Sequence, residues 1–151
     1  MPLGSPPAPA YNSLEYVSNP VTEQIAASAD LTEHAITPPN LSTYSIHKVL
    51  LVGSIHSVNE VSGTDQQVTV KVYGKKGSGS YSQLGATLTN ALEMSTVQYS
   101  PDSLTLAIDV STLVDTLDGS TVYTFKFNVT LANAQNTRFT HQFILVCYIY
   151  K

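Results

Sequence analysis

From residue 44 onward, the apolar side chains of this chain fall at every second position. The run is clearest in Tyr123, Phe125, Phe127, Val129 and Leu131, which alternate with Thr124, Lys126, Asn128 and Thr130. Successive side chains of a strand point to opposite faces, so this pattern predicts strands with one face buried and the other wet. Val68, Val70 and Val72 repeat it, as do Leu104, Leu106, Ile108 and Val110, and more weakly Leu84, Ala86 and Leu88. Each run ends in turn chemistry, at Ser62-Gly63-Thr64-Asp65, Gly74 to Ser80, Ser100-Pro101-Asp102, Asp118-Gly119 and Asn133 to Asn136. Several short strands with little between them predict an all-β antiparallel sandwich of about eight strands, jelly-roll or immunoglobulin-like. Helix is arguable only over 21–35, where Val21, Thr22 and Ile25 suit a strand equally well, and as one turn over 111–117, where Thr112 and Asp115 have capping-box spacing.

Two segments break the alternation. Val49, Leu50, Leu51 and Val52 are consecutive, which predicts a central strand covered on both faces. The last strand alternates from Phe139 to Phe143 and then turns apolar on both sides through Ile144, Leu145, Val146, Cys147, Tyr148, Ile149 and Tyr150. If Phe143, Leu145, Cys147 and Ile149 face the core, Ile144, Val146, Tyr148 and Tyr150 need a second cover. Burying such side chains is worth roughly 1.5–3 kcal/mol each. Another subunit or the chain's own N-terminal segment would supply it, so these four residues are the expected oligomer interface.

The first third of the chain differs in charge and in proline. Glu15, Glu23, Asp30 and Glu33 precede Lys48 with no Lys or Arg among them, and Pro2, Pro6, Pro7 and Pro9 fall within nine residues. Proline cannot join the interior of a sheet or helix, so residues 1–20 are expected as an extended arm before a sandwich domain over 21–151. Tyr11, Leu14, Tyr16 and Val17 carry enough apolar surface to dock that arm rather than leave it solvated.

The same composition excludes several chemistries. Seven basic residues against eleven acidic ones, a net charge of -4, cannot coat a nucleic-acid backbone. No apolar run approaches the roughly 20 residues that span a bilayer as a helix, and the N-terminus lacks the charged and apolar regions of a signal peptide. The 17 serines and 17 threonines wet the surface in place of ions. Cys147 is the sole cysteine and lies in an apolar strand, a poor setting for a nucleophile. His34, His47, His56 and His141 are scattered, with cross-strand pairing the only route to a shared site. His141, between Phe139 and Phe143, is expected as a hydrogen-bonded core residue. Asp65, Asp102, Asp115 and Asp118 read as turn formers, with a calcium site on the loose cluster of Asp102, Asp109, Asp115 and Asp118 as the alternative. Lys75 and Lys76 stand in a glycine-rich stretch without the lysine placement or following helix of a phosphate loop. They are expected in an exposed connection able to touch an acidic partner.

These readings converge on a non-enzymatic structural protein without a cofactor, assembling as a homo-oligomer, trimer or larger ring. It would be made in the cytoplasm without nucleic-acid or membrane partners. Small, cysteine-poor, Ser/Thr-rich sandwiches with extended arms resemble virion components such as capsid, decoration or head-fibre proteins, which would place this one in a virion with other virion proteins as neighbours. The competing expectation is a glycan-binding or adhesin-type module presenting Tyr73, Tyr81 or Tyr99 at one end.

Overall fold

The computed structural model describes Gly4 and residues 12–151. Among these, the chain forms ten strands: β1 (Asn12–Val17), β2 (Val21–Ile25), β3 (Ala29–Asp30), β4 (His34–Ile36), β5 (Ser45–Asn59), β6 (Gln66–Lys76), β7 (Ser82–Met94), β8 (Pro101–Asp109), β9 (Tyr123–Leu131) and β10 (Thr137–Tyr150). They make two five-stranded sheets, with every pairing antiparallel. The first sheet runs β1-β10-β5-β8 with β2 also on β10. The second runs β3-β9-β6-β7 with β4 also on β9. Taking β1 with β2 and β3 with β4 as two interrupted strands leaves eight positions, ordered 1-8-3-6 and 2-7-4-5, so the sandwich is a jelly roll.

The two inner faces hold the core. Phe125, Phe127 and Val129 of β9 and Val68 and Val70 of β6 oppose Phe139, Phe143, Leu145 and Cys147 of β10 and Leu51 and Ile55 of β5. The rings of Phe127 and Phe143 stack at 4.4 Å between centroids. Gly53 makes that stack possible, because a Cβ there would stand 2.9 Å from Phe127 Cζ and 3.0 Å from Phe143 Cε1. β5 lies between β10 and β8, with Val49 and Leu51 buried and Leu50 and Val52 half-buried on the outer side.

The N-terminal third does not stand apart from this architecture. β1 and β2 line the β10 edge, then β3 and β4 line the β9 edge, so residues 12–36 strap the two sheets together along one side. The boundary expected at residue 20 thus falls inside a sheet edge. Residues 12–17 pair with 144–149, which makes them sandwich rather than a preceding arm. Residues 21–35 contain β2, β3 and the start of β4 rather than helix. Residues 111–113 make a single turn, in which Val114 N donates to Val110 O at 2.8 Å. No helix among the described residues is long and apolar enough to cross a membrane.

Candidate assembly face

The outer face of the first sheet is built row by row from the strand register. Ile144 of β10 stands between Val17 of β1 and Val52 of β5, with Ala107 of β8 beyond. In the next row Val146 stands between Glu15 and Leu50, with Asp109 beyond, and in the third Tyr148 stands between Ser13 and Lys48. The result is a contiguous apolar patch of Val17, Leu50, Val52, Ile144, Val146 and Tyr148. Its members shield one another. Val146 at the centre is 9% exposed, Ile144 and Tyr148 are half-buried, and Val17 at the rim is 57% exposed. Tyr150, also half-buried, ends the strand opposite Ser45.

A bulge finishes the patch. The register of β10 on β5 passes from Tyr148 opposite Lys48 to Ile149 opposite Ile46, which leaves His47 as the extra residue. Ile46 and Val49 can thereby both pack against the core, while His47 and Lys48 stand on the outer side. With Ser13, Leu50 and Tyr148 they line a depression of about 440 Å³. Lys48 reaches Asp109 at 3.9 Å, so the charges flanking the patch oppose each other.

The other expected contact residues are placed as follows. Tyr11 lies outside the described residues. Leu14 and Tyr16 pack against the core, and Val17 points to solvent, so its side chain does not dock. Lys75 and Lys76 are not in a loop. They are the last two residues of β6, opposite Thr124 and Tyr123. Lys76 Nζ pairs with Asp115 at 2.5 Å and Lys75 Nζ lies 4.7 Å from the centre of the Tyr81 ring, so both are engaged within the chain.

The chemical candidates are dispersed. Burial pushes the Cys147 thiol up to about 11. His56 Nδ1 lies 2.7 Å from Ser103 Oγ on the outer face of the first sheet, but no carboxylate hydrogen-bonds to this ring among the described residues. Asp109 is held by Ser111 and Asp118 by the Ser120 and Thr121 amides, contacts that lower both carboxyls below their ordinary range. Among the described residues no three His, Cys, Asp or Glu converge on a metal position. Sequence reasoning missed a buried relay. His34 Nε2 lies 2.8 Å from His141 Nδ1, and His141 Nε2 lies 2.8 Å from Glu23 Oε1. These residues are 107 and 118 positions apart, so no local spacing could have signalled them.

The fold and this face define a jelly-roll sandwich with one apolar outer wall. No family model matches the chain, and no curated protein matches it. Solved structures do resemble it. The structure of infectious bursal disease virus Gt strain aligns at a TM-score of 0.43 and 10% identity, covering 93% of this chain and 33% of that one. The infectious bursal disease virus VP2 subviral particle aligns at 0.42 and 10%, with the same coverage. TmCBM61 in complex with β-1,4-galactotriose aligns at 0.38 and 10%, covering 89% of this chain and 86% of that one. The chain spans about a third of the viral chains it matches.

Proposed function

We propose that this protein is a non-enzymatic structural subunit that assembles with copies of itself through the outer face of its first sheet. The observation that carries the reading is the terminal strand: β10 is interior to its sheet and apolar on both sides, and its outer side chains continue into Leu50 and Val52 of β5. Where the contacts through this wall are heterologous and their rotation closes, they form a ring, and a trimer or larger closed assembly is the product we propose. Its finer identity is a virion component, a capsid, decoration or head-fibre protein. What supports this is the jelly-roll architecture, which viral capsid domains use.

Jelly rolls also serve as lectins, but the three aromatic side chains that would read a sugar are not gathered at one end. Tyr73, half-buried on the outer face of the second sheet, and Tyr81 both flank Lys126, whereas Tyr99 is exposed on the turn after β7 at the far end of that strand. Light scattering behind a sizing column tests the proposal. The native chain should elute as a closed oligomer, and Val146→Asp with Tyr148→Asp should yield a 16.3 kDa monomer with unchanged far-UV circular dichroism. A monomeric native chain at micromolar concentration overturns the reading.

A further inference from the structure

The relay under the N-terminal strap has a proton count that its geometry fixes. His34 of β4 is 4% exposed and His141 of β10 is 1% exposed. Phe127 lies edge-on to His141 at 6.0 Å and Phe143 edge-on to His34 at 5.4 Å. Glu23 of β2 ends the chain, its carboxylate also accepting from Thr32 N at 2.7 Å. At the other end the His34 ring meets the Asn19 carbonyl.

A gap of 2.8 Å between two ring nitrogens holds one hydrogen. With Glu23 ionised, His141 donates from Nε2, its Nδ1 is bare, and His34 must donate from Nε2. The neutral pair therefore has a single arrangement, with both protons directed toward Glu23. His34 Nδ1 is then bare, and one added proton fits there against the Asn19 carbonyl. A second has no place, because a proton on His141 Nδ1 would set two N–H groups head to head across 2.8 Å. Once the strap lifts, both rings titrate as ordinary histidines.

We propose that Glu23, His141 and His34 form an acid-sensitive latch that holds the strap segment 19–36 across the sandwich edge at neutral pH and releases it in acid. Burial acts in the same direction, lowering His34 to about 4, with the charge of His141 adding to it and Asn19 and Glu23 opposing; burial lowers His141 as well, against the pull of Glu23. The other ionisable groups nearby are committed elsewhere. Glu33 lies toward the Tyr81 hydroxyl, Asp30 is held by Lys126 and Asn128, Arg138 of β10 pairs with Glu60, and His56 of β5 bonds Ser103 on the outer face. β9 contributes only apolar rings, Phe125 and Phe127.

Amide hydrogen exchange on the full chain between pH 7.5 and 4.5, corrected for the intrinsic rate, tests the latch. Amides of residues 19–36 should lose protection by about tenfold or more across this range while those of β6 and β9 stay protected. His34→Gln, whose amide cannot charge and can turn either its NH2 to a neutral His141 or its oxygen to a protonated one, lets His141 take up its proton with the strap closed and should flatten that dependence to less than about twofold. A strap protected down to pH 4.5, a strap that exchanges only together with β6 and β9, or full acid dependence in His34→Gln overturns the proposal. Should that variant not fold, proton NMR of the native imidazoles decides. Proton uptake by the pair should stop at one while the strap stays protected, the second ring charging only in step with loss of protection, and two charged rings under a protected strap overturn it.

Discussion

The two outer walls of this sandwich are built from equally regular strands and carry opposite chemistry. On the second sheet the rows read Thr130 beside Thr69, Asn128 beside Lys71, Lys126 beside Tyr73 and Thr124 beside Lys75. On the first they read Ile144 beside Val52 and Val146 beside Leu50. Strand geometry alone makes no such distinction, since alternation presents an outer face on either sheet. The second wall is finished by water. The first is half-finished, with its side chains shielding one another only in part, and in the proposed assembly a partner surface would complete it. A monomer tolerates scattered apolar residues outside, whereas a contiguous patch marks an interaction site.

The strongest way to break this contrast is to charge the β5 half of the patch. Leu50→Lys with Val52→Lys places two ammonium groups where the proposed assembly would bury the remaining exposed part of two half-buried side chains, roughly half of the 1.5–3 kcal/mol that full burial of each is worth. With the cost of burying charge added, association should weaken by about 10²-fold or more, measured by sedimentation at a series of concentrations. An unchanged oligomer would confine any interface to β10 and β1.

Acid should come next in size, and it acts on the strap rather than on either wall. His34 is lowered to about 4 in the folded chain, against about 6.5 when unfolded. The unfolded chain therefore binds more protons between these values, and stability falls as pH drops from about 6.5 to about 4, then levels off for this group. The total is roughly 3 kcal/mol, of which about 2–2.5 kcal/mol falls between pH 7 and pH 4.5, read from urea midpoints at those two values. His34→Gln should remove most of that difference.

Much of the wall contrast was legible in the sequence, and the reason is physical. Period-two alternation maps directly onto faces, so β6, β8 and β9 could be read residue by residue, and the loss of alternation after Phe143 located the apolar wall. The second half of the strap was illegible because β3 and β4, two and three residues long, carry too few side chains to show a period. Gly74 misled for a different reason. It looks like the start of a turn, yet it lies inside β6, where a Cβ would stand 2.7 Å from Leu84 Cδ1 and 3.0 Å from Phe125 Cδ1. A glycine demanded by packing and one demanded by a turn are identical in sequence, so Lys75 and Lys76 were read into a loop. The relay depends wholly on topology, which brings β2 and β4 to opposite sides of His141.

Gly53→Ala probes the space between the walls. The new methyl would press on Phe127 and Phe143, the stacked pair at the sandwich centre. Overpacking of this kind costs about 1–3 kcal/mol. The melting temperature should fall by roughly 2–12 °C with the subunit number unchanged. Dissociation on this substitution would mean that assembly senses the core rather than the outer wall.

The smallest effect is expected on the second wall, and it is the sharpest control. Lys126 Nζ lies 2.8 Å from Asp30 Oδ2 and 4.0 Å from the centre of the Tyr81 ring, so it is the best-connected charge on that face. The Asp30 side chain remains 49% exposed, however, and solvent screens the pair. Lys126→Met keeps the aliphatic stem and removes the charge. It should cost no more than about 1 kcal/mol by urea titration and leave the oligomer intact. The Asp30 carboxyl, held low chiefly by its hydrogen bonds from Lys126 and then Asn128, should rise toward its ordinary range in a carbon-detected titration. If this single change on the polar wall dissociates the assembly while the doubly charged first wall does not, the two faces have exchanged roles, and the partner of this sandwich is gripped by polar contacts instead of apolar ones.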